Sequence, residues 1–197
     1  GVTTDITEQV RTEERLQLTK QWVDSSPEGI LVSDATGRIV YANAEALHRL
    51  GYSLEQVREK CVWEYQAAFS DAEAWFRHFD EVKNRGSLLL EGTHRRVDGT
   101  EFPVEVNVKH LRSGDEEFLV AFSRDVSLRR QAQAEVQAKE AYYRQILNAI
   151  PDLILVKNRQ NQPTWANATF RAFAGIAPGQ ALDALPEWSK SENLRLD

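Results

Sequence analysis

The chain contains an internal repeat, and that repeat limits what it can fold into more than any other feature. SSPEGILVSDATGRIVYANAEALHRLGY, from Ser25, is echoed by NAIPDLILVKNRQNQPTWANATFRAFAG, from Asn148. Pro27 matches Pro151, Tyr41 matches Trp165, Asn43 matches Asn167 and Gly51 matches Gly175, each pair 124 positions apart (151 − 27). TTDITEQ, around Asp5, is echoed by SRDVSLR, around Asp125, at a spacing of 120 (125 − 5). Self-similarity at a fixed period implies structural units that are near copies of one another. The 197 residues therefore divide into the tail of one unit (1–7), a linker helix (8–22), a complete unit (23–128), a second linker helix of coiled-coil type (129–147) and the opening part of a further unit (148–197). From the aspartate to the proline, the first linker spans 22 residues (27 − 5) and the second 26 (151 − 125). A difference of four is a stutter, which shifts the phase of a heptad seam.

Within the complete unit, the stretch from Thr93 to Val126 carries the clearest local signals. Val97-Asp98-Gly99-Thr100 reads as a two-residue hairpin turn, because Asp-Gly tolerates positive φ. After it, Phe102, Val104, Val106 and Val108 alternate with polar residues, the period of a strand buried on one face. Phe118 to Phe122 is apolar without alternation, which predicts a strand covered on both faces. Upstream, Gly29–Asp34 and Arg38–Ala42 form a hairpin. Asn43 caps a short helix that stops at Gly51, and Ser53 caps another. Residues 71–85 form the longest helix of the unit, with Trp75, Phe76, Phe79 and Val82 on one stripe. Strands follow at Leu88–Val97, Thr100–Leu111 and Glu117–Val126. The order β-β-α-α-α-β-β-β predicts an α+β fold, an antiparallel sheet with helices on one face.

Composition narrows the function. A net charge of −6 argues against a nucleic-acid partner. Arg95-Arg96 and Arg129-Arg130 read as solvated faces. One cysteine rules out an internal disulfide framework and a cysteine-built zinc site, and fits a reducing compartment. No apolar run is long enough to span a bilayer and no signal-peptide pattern opens the chain, so the expected location is cytoplasmic, with any membrane anchor outside this stretch. The absence of methionine predicts an internal fragment of a longer protein. No phosphate loop, nucleophile elbow or zinc-protease motif is present, so no catalytic and no metal-ligating residues are assigned.

SPEGILVSDATGRIVYANAEALHRLGYSLEQV, RRVDGTEFPVEV and FSRDVSLRR together resemble a PAS domain with its PAC motif, over residues 23–128 and into both flanks. The resemblance implies a five-stranded antiparallel sheet cupping a small pocket, flanked by long linker helices that join parallel homodimers. It also implies tandem repetition ahead of an output domain, a histidine kinase in preference to a diguanylate cyclase. Kinase signatures are absent here, so such an output would belong to the parent protein.

Two cofactors of relatives were weighed on their residues. In the light-sensing branch a cysteine adds to flavin within Asn-Cys-Arg-Phe-Leu-Gln. Here Val62 falls on that cysteine and Cys61 on the Asn, and the Arg and Gln are missing, so flavin is not favoured. For haem, Trp75 stands nearest the ligand position of oxygen-sensing relatives and His78 one turn later, which also weighs against it. His94 and His110 show no metal-ligand spacing. The cofactor therefore stays unassigned and a small-molecule ligand remains open. Its pocket would be lined by Asn43, Trp63, Trp75, His78, Phe79, Phe102, Val104 and Phe122, with Asn43 orienting the ligand. A solid core is the favoured reading of the aromatic residues among them, because small domains of this family are often packed solid. Signal relay falls to Asp125, its repeat copy Asp5 and Ser127. Each aspartate stands where a strand becomes a helix, with a hydroxyl two positions on (Ser127, Thr7), and the resemblance implies that it ties strand end to helix. The helix after Asp125, over 127–150, carries Val136, Tyr143, Leu147 and Ile150 as a diluted seam. The reading is a sensory relay module turning that helix. The alternative is a ligand-free dimerisation spacer.

Overall fold

The computed structural model describes residues 6–177 and 180–182. Asp5 lies outside them. The chain divides into two compact units, Gly1–Arg130 and Gln131–Asp197. In chain order the elements are α1 (Ile6–Asp24), β1 (Gly29–Asp34), β2 (Ile39–Ala42), α2 (Ala44–Leu50), α3 (Leu54–Arg58), α4 (Val62–Tyr65), α5 (Ala72–Arg85), β3 (Ser87–Arg95), β4 (Glu101–Ser113), β5 (Glu116–Asp125), α6 (Ser127–Ala149), β6 (Leu155–Lys157), β7 (Pro163–Ala166) and α7 (Ala168–Phe173).

The first unit is an α+β fold built on a five-stranded antiparallel sheet in the order β2-β1-β5-β4-β3. The last strand in sequence is central in space. β5 pairs with β1 from Gly29↔Ser123 to Asp34↔Phe118, and with β4 from Val104↔Asp125 to Ser113↔Glu116. Phe102, Val104, Val106 and Val108 all turn inward, so the period of two in the sequence is the pleat of β4. They pack with Leu31, Leu119 and, from α5, Trp75, Phe79 and Val82. Helices α2, α3 and α5 start on side-chain caps: Asn43 accepts from Ala46 N, Ser53 from Gln56 N and Asp71 from Ala74 N.

Three expectations require correction. The loop between β3 and β4 is not a two-residue turn. Gly99 N donates to Arg96 O, Arg96 N donates to Thr100 O, and only Gly99 has positive φ, at 84°. Asp98 instead uses its carboxylate to accept from the Thr100 amide and hydroxyl. β5 is not covered on both faces: Leu119 and Ala121 face the core, while Phe118, Val120 and Phe122 alternate to the other side and are half-buried. Phe76 leaves the apolar stripe of α5 and is 49% exposed, because Trp75, Phe79 and Val82 already fill the three-and-four spacing.

The second unit repeats the opening of the first. β6 and β7 pair as Leu155↔Ala166 and Val156↔Trp165, with an irregularity before Lys157↔Pro163. Shifted by 124, this is the register of β1 and β2, irregularity included. Asn161 takes the positive-φ place of Gly37, at 59° against 84°, a conformation asparagine tolerates better than other side chains do. Ala166, Phe170, Ile176 and Leu182 form its core.

Candidate functional site

Between α4, α5 and the inner face of the sheet lies a cavity of about 30 Å³. Leu31, Ser33, Val62, Gln66, Trp75 and His78 are among its lining residues, together with Val106, Leu119 and Ala121 of the sheet. The space suits a water molecule or two, and is far below the roughly 300 Å³ at which ligand pockets begin. Neither a flavin nor a haem fits it without repacking of the core. Cys61 is not among the lining residues. Burial, reinforced by Glu64, pushes its thiol pKa up, which suppresses the reactive thiolate.

Of the eight residues read as pocket-lining, Trp75 and His78 line the cavity. His78 lies tilted against Phe69 at 4.8 Å between ring centroids, and burial lowers its pKa, which favours the neutral ring. Phe79, Phe102 and Val104 are buried core residues that do not line it. Trp63 packs instead over the turn at Gly37, where an added Cβ would meet its Cζ3 at 2.5 Å. Phe122 sits on the opposite face of the sheet beside Asn107 and Lys109. The reading missed Ser33 and Gln66, both buried polar residues of the lining. Gln66 had a signal of its own in Gly92: a Cβ there would stand 2.9 Å from the Gln66 amide nitrogen, so glycine makes room for that side chain.

Asn43 does not orient a ligand, because its side chain is fully committed. It is wholly buried. Its Oδ1 accepts from Ile30 N at 2.8 Å and Ala46 N at 2.9 Å, and its Nδ2 donates to Val23 O and Glu28 O, both at 3.0 Å. Two lone pairs and two protons exhaust an amide. One side chain thus ties the end of α1 to the start of β1 and the start of α2. Asn167 repeats that set 124 positions on, accepting from Ile154 N and Phe170 N and donating to Leu147 O and Asp152 O, with Ile150 O sharing one of its two protons. Asp24 adds a bond to Ala44 N, as Asn148 does to Ala168 N.

At the far end of the sheet, β5 stops at Asp125 and α6 starts at Ser127, with Val126 between them almost completely buried. Val126 N donates to Pro103 O, which holds the bend against β4. The Asp125 carboxylate accepts from Ser127 N at 2.8 Å, a local cap on the emerging helix. The first turn of α6 is tied back by Arg129–Glu105 and Arg130–Glu91, and Arg95 pairs with Glu101. Arg95, Arg129 and Arg130 are thus ion-paired to residues of the sheet, while Arg96 lies over the Phe102 ring at 4.1 Å. Near this junction His94 is buried between Tyr65 and Phe102, edge-on to both. Burial, then the positive charge of Arg49, lowers its pKa to about 4 against the opposing pull of Asp125.

Among the described residues no group of three or more His, Cys, Asp or Glu side chains could hold a metal ion, and no helix is long and apolar enough to cross a membrane. A family model described as PAS domain matches residues 27–127, and a second with the same description matches residues 141–195. The chain belongs to the PAS family and carries two of its domains in tandem, as non-catalytic modules of signalling proteins. Among solved structures it is similar to the PAS domain of an HTR-like protein from Haloarcula marismortui, at 29% identity and a TM-score of 0.57, covering 60% of this chain and 98% of that one. A PAS domain from a two-component sensor histidine kinase has the same fold, at 17% identity and a TM-score of 0.52, covering 58% and 98%. A nitrogen fixation regulatory protein of Klebsiella oxytoca is 22% identical over 162 residues, 81% of this chain and 33% of that protein. The chain spans about a third of the length of the curated relatives it matches.

Proposed function

We propose that the first PAS unit is a relay, passing a change in its sheet through α6 to a downstream histidine kinase in the same protein. The observation that carries this reading is the position of β5, paired along both edges and separated from α6 by one buried residue. Displacement of β5 therefore has a short, well-packed route into the helix. A homodimer through the linker helices is supported by the exposure of Leu128 (82%), Val136 (57%) and Tyr143 (61%) on α6, since apolar side chains on a helix call for a partner. The smallness of the cavity favours a signal arriving through neighbouring segments, or carried by a small molecule that opens the core, over a large resident cofactor.

The test is Asp125→Ala in the intact parent protein, read as autophosphorylation with and without stimulus. Loss of the cap costs about 1 kcal/mol of stability, so the fold survives. The relay reading expects regulation to disappear while basal phosphorylation persists. Unchanged regulation would leave the spacer reading in its place.

A further inference from the structure

We infer that Arg49 is a positioning residue, a strut joining the segment that enters the first PAS unit to the central strand that leaves it. This deepens the relay reading and rests on it. Arg49 lies near the end of α2 and uses all three of its nitrogens. Nε donates to Glu45 Oε1 at 2.7 Å, Nη1 to Ser123 O at 3.1 Å and Nη2 to Pro27 O at 2.6 Å. Its side chain is only 18% exposed, so these bonds are shielded from competing water. Pro27 belongs to the segment between α1 and β1, and Ser123 is two residues short of Asp125.

The contacts around it close the same route. Ser123 Oγ donates to Gly29 O, and a Cβ on Gly29 would stand 2.7 Å from that oxygen and 3.3 Å from the Ala46 backbone. The incoming segment, α2 and β5 are therefore packed without slack at this point. Asn43 fixes the start of α2 to the end of α1, and Arg49 fixes its other end to β5. A shift at Val23 or Asp24 reaches Ser123 through one rigid helix of two turns, and the cavity under α5 is not on the path. A planar fork that reaches two separate carbonyls while held by a carboxylate is specific to arginine, because a lysine offers one point charge. The second unit keeps the asparagine and places Phe173 124 positions after Arg49, a side chain that cannot make these bonds. The asparagine tie is thus common to both units, whereas the guanidinium strut belongs to the first.

Amide hydrogen exchange on this chain tests the strut. The probe is Asp24→Ala, which removes the bond to Ala44 N at the incoming end, compared in the native and Arg49→Met backgrounds. With Arg49 present, Asp24→Ala should speed exchange of the amides of residues 123–130 about tenfold, leaving residues 88–95 unchanged. In the Arg49→Met background the same substitution should leave residues 123–130 unaltered relative to Arg49→Met alone, and Arg49→Lys should fall between. A response at residues 123–130 that persists without Arg49 would overturn the strut and leave the relay standing. No response there even with Arg49 present would equally overturn the strut and leave the passage from β5 into α6 to the Asp125→Ala test. A uniform rise across every strand in Arg49→Met would mark Arg49 as structural only and equally overturn the strut.

Discussion

Asn43 shows how one residue can hold three elements together, and how partially a sequence discloses it. Its place before an amphipathic run identifies the cap on α2. The bonds to Val23, Glu28 and Ile30 exist only once the chain has folded back on itself. Replacing it with alanine orphans buried backbone groups on both sides, each costing about 1–3 kcal/mol. Asn43→Ala should therefore lower unfolding stability by about 3 kcal/mol or more in a urea titration, far beyond the loss of a simple cap. His94 gives a pH prediction. Its folded pKa of about 4 lies below the ordinary 6.5, so below pH 6.5 the unfolded chain binds a proton that the folded chain refuses. Stability contributed by the neutral ring is present above pH 6.5 and is lost as pH falls towards 4. The loss approaches about 3 kcal/mol by linkage. Thermal unfolding should fall in that window, and His94→Phe should flatten the slope.

Among elements, strands and caps were legible because alternation and capping residues are local properties. The turn at Asp98-Gly99 was placed correctly but given the wrong length, since the same dipeptide serves a loop in which only the glycine has positive φ. The faces of β5 were misjudged for a different reason. An unbroken apolar run fits two-sided burial, and nothing local distinguishes that from an outer face left half-exposed, where Phe118, Val120 and Phe122 lie. The lining of the cavity was readable only in Trp75 and His78, because Ser33 and Gln66 become relevant through packing across the sheet. Val136 and Tyr143 stand open on α6, whereas Leu147 near its end and Ile150 just beyond it are half-buried with their carbonyls held by Asn167. Part of the seam is thus engaged at the start of the second unit. Val136→Glu combined with Tyr143→Glu places charge on the free part, and sedimentation velocity should show a dimer shifting to monomer.

For the whole molecule, the repeat at 124 foretold more than any single motif. It identified Asn167, and the strand pair and positive-φ position of the second unit recur in the same register. What it could not convey is which contacts differ between the copies, and the pair Arg49 and Phe173 is such a difference. The account as a whole depends on α6 passing on its angular position. Inserting one to seven alanines between Gln137 and Ala138 of the intact parent, with stimulated autophosphorylation as the readout, tests this most directly. Because a two-helix seam repeats about every seven residues, regulation should vanish at intermediate insertions and return at seven. Regulation indifferent to insertion length would contradict the account.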